Sequence, residues 1–160
     1  MNILKLLKPK ACIDYIEDDF TVRQAIEKMR HHGFTALPVI NEKGEYVKTL
    51  AEGDLLWFMI DNDVSDMKEL EHFSVNQIAR RIENKPVYVY STIEDLILQS
   101  INQNFVPVID DRDVFIGIVT RSDILKYCYS TLQELNEKYN LSENSDEFAD
   151  SEIVLQSEKF

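Results

Sequence analysis

The chain is short of cysteine, glycine, histidine and positive charge, and each shortage narrows what it can be. Two cysteines, Cys12 and Cys128, are too few for a disulfide framework. Free thiols in a reducing compartment are expected, which points to the cytoplasm. Four glycines and three histidines leave no glycine-rich phosphate loop and no nucleophile motif, so no catalytic residue is assigned. His31 and His32 are adjacent and so point to different sides of a helix. No carboxylate or cysteine stands beside them at ligand spacing, and no metal is expected. No window approaches 18 consecutive apolar residues, so no segment is expected to cross a membrane. The opening MNILKLLKPK has no long apolar core and no small-residue cleavage site, and does not read as a signal peptide.

Basic residues number 17 against 29 acidic ones, for a net charge of −12 and a pI of about 4.6. That balance argues against a nucleic-acid partner, which needs a clustered positive face. It does not argue against a small anion, because a few backbone N–H groups and one cation can hold a phosphate whatever the total charge. The acid is concentrated. Residues 130–160 hold eight acidic and two basic residues, half of the net charge. Beyond Leu141 this end is expected to be a mobile, solvated tail. With 44% hydrophobic and 29% charged residues, the rest is ordinary for a globular protein.

What the chain does contain is a duplication. FVPVIDDRDVFIGIVTRSDILKY, from Phe105 to Tyr127, reads as two apolar strands around a polar turn, then a helix that begins abruptly at Thr120-Arg121-Ser122-Asp123. FTALPVINEKGEYVKTLAEGDLLWFM, from Phe34 to Met59, repeats it without a gap when Pro38 is set against Pro107 and Asp54 against Asp123. Upstream, Thr21 to Ile26 matches Thr92 to Ile97, with the offset changed by two residues. The period is about 70 residues.

Each copy reads as strand, helix, strand, strand, helix, an α/β (α+β) pattern. In the first, Cys12 to Ile16 is a strand, and Thr21-x-x-Gln24 caps a helix to His32 that Gly33 stops. Strands follow at Thr35–Ile40 and Glu45–Leu50, joined through Gly44, then a helix at Glu52–Asp61. In the second, Val87 to Tyr90 is the strand, Ser91-x-x-Glu94 caps a helix to about Gln103, and the helix from Arg121 runs toward Tyr139. Ahead of each copy lies a short helical turn, one within Asn2–Leu7 and ended by Pro9, the other capped by Ser74-x-x-Gln77. Residues 1–62 then form the first repeat, 63–72 a polar connector, 73–130 the second repeat and 131–160 a helical extension and tail. One unit of ~55 residues buries too little to be secure alone. Two related by a pseudo-twofold axis could share a core and leave two crevices between them.

Gly117-Ile118-Val119-Thr120-Arg121-Ser122-Asp123, preceded by Phe105-Val106-Pro107-Val108, resembles the end of a CBS domain, and Phe34 to Val39 resembles its middle strand. The resemblance covers roughly residues 1–130, a CBS pair or Bateman module. It implies a non-enzymatic regulatory module that binds an adenine nucleotide between the repeats. The ligands of such modules include AMP, ADP, ATP, S-adenosylmethionine and, in small stand-alone bacterial pairs, cyclic di-AMP. No covalent cofactor is implied. Carried over, Thr120 and Asp123 would hold ribose and phosphate, and Arg121 could pair with a phosphate. Cys12, Ile13 and Asp14 with Phe34, Thr35 and Ala36 would line that base pocket. Val87, Tyr88 and Val89 with Asn104, Phe105 and Val106 would line the other, around Asp54. The first copy departs from the pattern, with Ala51 in place of Thr120 and Glu52 in place of Arg121. One competent site and one weakened or empty site are therefore expected.

Plainer readings stand beside these. Thr120-x-x-Asp123 is also a capping box, which needs no ligand. Trp57, Phe58 and Met59 are consecutive and cannot all face one core from a helix. Part of that run is expected to cover a second copy, since the family dimerises through these helices, giving a homodimer with a further target protein. The alternative is a protein-interaction scaffold whose ligand sites have decayed.

Overall fold

The computed structural model describes residues 3–139; the expected mobile tail beyond them lies outside the described residues. Four helices and two sheets account for the pattern. The first sheet has the order β2-β3-β4, from Ile16–Glu17 (β2), Ala36–Ile40 (β3) and Tyr46–Ala51 (β4). The second has the order β1-β7-β6-β5, from Lys8–Pro9 (β1), Val87–Tyr88 (β5), Phe105–Ile109 (β6) and Phe115–Thr120 (β7). Helices α1 (Val22–His32) and α2 (Glu52–Asp61) belong to the first copy, α3 (Ile93–Ser100) and α4 (Arg121–Tyr139) to the second.

Local chemistry sets most boundaries. Thr21 and Gln24 exchange side-chain and backbone bonds at the head of α1. Gly33, left-handed at φ 67°, ends it by donating to the Met29 carbonyl, a conformation that costs a residue without Cβ little. The two hairpins use one device. Asn41 Oδ1 accepts from the N–H groups of Lys43 and Glu45, and Asp110 Oδ1 accepts from those of Arg112 and Val114, the self-capping turn that short polar side chains favour. Backbone bonds to Val114 and Arg112 hold the Asp110 carboxyl below its ordinary range.

Three expectations change. The cap of α3 is Thr92 with Asp95, not Ser91 with Glu94, because Thr92 stands immediately before the first helical residue. The helix ends at Ser100. The expected strand Cys12–Ile16 shrinks to Ile16–Glu17, paired in parallel with Val39 and Ile40. Lys10–Cys12 is a 3-10 turn instead, since Cys12 to Asp14 border an open cavity rather than a strand that could share their hydrogen bonds.

Pro9 does more than end a turn. Lys8 and Pro9 pair antiparallel with Ile118 and Gly117, so the segment ahead of the first copy extends the second copy's sheet. A Cβ on Gly117 would lie 2.2 Å from the Lys8 carbonyl oxygen, so only glycine admits that strand. The reverse exchange also occurs. Val75 and Ile78, ahead of the second copy, join the core of the first with Ile16, Val22, Leu50 and Leu55, and so do Val64 and Leu70 of the connector. Thr21 bridges Ser74, Val22 donates to the Phe73 carbonyl and Val75 to that of Phe20, both at 2.9 Å. At the hairpin tips Glu45 bridges Val114. Each copy thus carries a segment of the other, the reciprocity that a twofold relation produces.

Candidate functional site

β7 delivers Thr120 to the point where α4 starts. Its hydroxyl donates to Asp123 Oδ2 at 2.6 Å and accepts the Asp123 N–H at 3.2 Å, the side-chain N-cap that the Thr-x-x-Asp spacing allows. Thr120 borders a cavity of about 420 Å³ together with Cys12, Ile13 and Asp14, Phe34, Thr35 and Ala36. That size falls within the roughly 300–1,000 Å³ of typical small-molecule sites. Seven residues named from three separate stretches thus meet at one cavity. Phe105 and Ile118 add apolar wall, and Lys8 adds a cation. Asp123 stands behind this lining, touching two residues that form it. Its Oδ2 takes the Thr120 hydroxyl and lies 3.1 Å from Lys8 Nζ. Asp14 has His32 Nδ1 at 3.5 Å and Lys28 Nζ at 4.0 Å, and the His32 ring stacks on Phe34 at 5.7 Å.

Arg121 is placed otherwise than expected. Its Nε donates to the carbonyl oxygens of Ser100 at 2.8 Å and Gln103 at 3.1 Å. Carbonyls at the end of a helix lack partners within it, and Arg121 supplies them for α3. It is absent from the cavity lining.

A second cavity, of about 320 Å³, lies around Asp54. Asp54 Oδ2 accepts the Ala51 N–H at 2.9 Å, but Ala51 has no hydroxyl to return the bond. Asn104 and Phe105 border this cavity as expected, whereas Val87, Tyr88, Val89 and Val106 do not. The reason is register. Ile16 pairs with Val39 and Val87 with Val108, so Ile16 corresponds to Val87, and the counterparts of Cys12 to Asp14 are Glu83 to Lys85. Val87 and Val106 are buried within the sheet, and the Tyr88 hydroxyl donates to Asp113. The lining is instead completed by Trp57, Arg81, Ile82 and Asn84. Arg81 lies over the Trp57 ring, 4.6 Å from its centroid, where a guanidinium is attracted to the negative ring face. Among the described residues no group of three or more histidines, cysteines or carboxylates could hold a metal.

The sequence profile of the CBS domain matches residues 12–61 and 74–130. The chain belongs to the CBS domain family. Curated relatives include an uncharacterized protein of Methanopyrus kandleri, 28% identical over 70% of this chain and 57% of that protein, and the A-adding tRNA nucleotidyltransferase of Aquifex aeolicus, 28% identical over 75% of this chain and 14% of that enzyme. The chain therefore spans little more than half of the first and a small part of the second. Among solved structures it is similar to CbpB in complex with c-di-AMP, with TM-score 0.76 and 22% identity over 87% of this chain and 91% of that one. It is also similar to CBSX2 in complex with AMP, with TM-score 0.65 and 20% identity over 81% and 97%. At these identities the likeness shows the tandem CBS fold.

Sequence reasoning missed Lys8 and Arg81, because each belongs to a segment ahead of the first strand of its own copy and packs beside the other. It also missed Gln103. This side chain is buried, with its amide donating to Gln99 Oε1 and the Lys85 carbonyl, while its own carbonyl oxygen has no partner. The only sequence signal was the presence of Lys and Arg ahead of each repeat, which composition alone cannot place.

Proposed function

We propose that the chain is a non-enzymatic regulatory module that holds an adenine nucleotide in the cavity beside Thr120. One observation carries this reading: a cavity of about 420 Å³ gathers Cys12–Asp14, Phe34–Ala36 and Thr120 from both repeats, with the Asp123 carboxylate directly behind. Apolar walls suit a purine face, and a threonine–aspartate pair at a helix start suits ribose hydroxyls and phosphate. That CbpB is solved with c-di-AMP and CBSX2 with AMP supports the ligand class. AMP, ATP, S-adenosylmethionine and cyclic di-AMP are the candidates. In this reading the repeats occupy 1–62 and 73–130, 63–72 connects them, and α4 continues past the second repeat to Tyr139, ahead of an acidic stretch.

A ligand that touches both repeats favours one packing of the two, so occupancy becomes a population shift that a target protein can read. The working form is a cytoplasmic homodimer, with the exposed Leu56, Trp57 and Ile60 of α2 covered by the second copy. No helix among the described residues is long and apolar enough to cross a membrane.

Titration calorimetry with the four candidates tests the reading. Heat from at least one, abolished by Thr120→Val with Asp123→Ala, is the expected result. Heat from none of them would overturn it. Trp57, the only tryptophan, borders the Asp54 cavity and not the Thr120 cavity. Its emission therefore reports filling of the Asp54 cavity, and is expected to stay constant while the Thr120 cavity fills.

A further inference from the structure

Resting on that reading, we infer that Lys8 is the phosphate-binding cation of the Thr120 cavity, and that the strand carrying it selects nucleotides over nucleosides. The argument begins with charge. Among the described residues that border the cavity, Lys8 is the one cationic side chain. Asp14 borders it too, and Asp123 lies directly behind Thr120. A phosphate entering without Lys8 would meet two carboxylates in a protein that is already strongly acidic. With Lys8 in place, the local balance admits an anion.

Arg121 cannot play this part while it closes α3, since its Nε is held by the Ser100 and Gln103 carbonyls. Lys8 is differently placed. Its side chain is about half exposed, and its ammonium rests 3.1 Å from Asp123 Oδ2. A half-exposed lysine head on a flexible stem can exchange a partly buried carboxylate for a phosphate, keeping an anionic partner throughout. The same movement would vacate one position on Asp123 Oδ2, beside the Thr120 hydroxyl, for a ribose hydroxyl. Lys8 and Asp123 thus hold each other until a nucleotide engages both.

The backbone of Lys8 is fixed while its head is not. Lys8 and Pro9 pair with Ile118 and Gly117, one strand position from the residues that lead into Thr120. The contact of the Lys8 carbonyl with Gly117 sets how far the strand can slide. The cation is therefore delivered by a segment ahead of the first repeat to a cavity whose helix start comes from the second. Binding of the phosphate tightens this strand on the sheet.

The test compares AMP with adenosine by titration calorimetry on the full chain, for the wild type, Lys8→Met and Lys8→Arg. The expected result is that Lys8→Met weakens AMP by about tenfold or more, as loss of a hydrogen bond to a charged group does. Adenosine should change by less than about twofold, because it has no phosphate to lose a partner. Lys8→Arg should recover most of the AMP affinity. The AMP preference of the wild type should also shrink at high salt. Equal weakening of AMP and adenosine in Lys8→Met would assign the residue a purely structural role and overturn the inference. So would unchanged AMP affinity, or a wild type that binds both compounds equally. A wild type that binds neither would also overturn this inference, while the adenine-nucleotide reading of the cavity would fall only if ATP, S-adenosylmethionine and cyclic di-AMP gave no heat either.

Discussion

Lys48 and Gly117 hold the same station in the two repeats: Lys48 lies opposite Val39 and Gly117 opposite Val108. The difference between them decides how each sheet meets the segment from the other repeat. Gly117 admits the Lys8 backbone, and β1 forms. Lys48 instead sends its ammonium to the carbonyl oxygens of Val75 and Ile78, both at 2.8 Å. Arg80 adds a bond to the Val47 carbonyl at 2.6 Å. Burial, followed by the charge of Arg80, lowers the Lys48 pKa, with Asp54 opposing. A strand pairing in one repeat is thus replaced by a side-chain clamp in the other.

Gly117→Ala should separate β1 from its sheet. The new methyl would lie 2.2 Å from backbone, which cannot swing aside as a side-chain tip can. A loss of roughly 1–3 kcal/mol is expected from such overpacking. Urea unfolding measures it, and a variant as stable as the wild type would contradict the close approach. AMP affinity should fall with it, because Lys8 leaves its place.

Arg121→Ala should act on stability and leave the ligand alone. Removing the guanidinium strips partners from the Ser100 and Gln103 carbonyls, at about 1–3 kcal/mol for buried groups left unpaired. Nucleotide affinity of the folded variant should stay within about twofold, since no charged contact to ligand is lost. Calorimetry and urea unfolding on the same sample separate the two effects. A large affinity loss at unchanged stability would return Arg121 to the phosphate.

Leu70 sits in a connector whose sequence is polar and acidic, yet it is fully buried in the core of the first repeat. Leu70→Ala should cost about 2–5 kcal/mol, as truncation in a packed core does. Leu98, exposed on α3, is the control, and Leu98→Ala should stay within about 0.5 kcal/mol. Equal effects would mean that the connector does not take part in the core.

Tyr46 makes stability depend on alkaline pH. Burial pushes its hydroxyl up to about 12, against the lowering influence of Thr49 and Arg80. The folded state therefore keeps a proton that the unfolded state releases near its ordinary value of about 10. The resulting stabilisation is complete below about pH 10 and is lost as pH rises through about 12. Unfolding curves at pH 9 and pH 11 should show a larger drop for the wild type than for Tyr46→Phe, which has no proton to lose. Parallel drops would rule this out.

The sequence by itself determined the duplication, the strand–helix order within each copy and the residues at the starts of α1, α2 and α4. These rest on short-range physics: alternation of apolar residues, Thr-x-x-Gln and Thr-x-x-Asp boxes, and turns closed by Asn41 and Asp110. Cys12–Asp14, Phe34–Ala36 and Thr120 could be named through the resemblance to a CBS domain, although only the fold brings them to one cavity. Tertiary structure alone decided three matters. It set the register that puts Arg81, Ile82 and Asn84, and not Val87 to Val89, beside Asp54. It turned Arg121 toward the open end of α3. It carried Lys8 across to the second repeat's sheet. In each case the deciding partner is a backbone carbonyl or strand edge far away in the chain. Such groups are identical at every residue, so no spacing of side chains can announce which will be left open and which side chain will reach it.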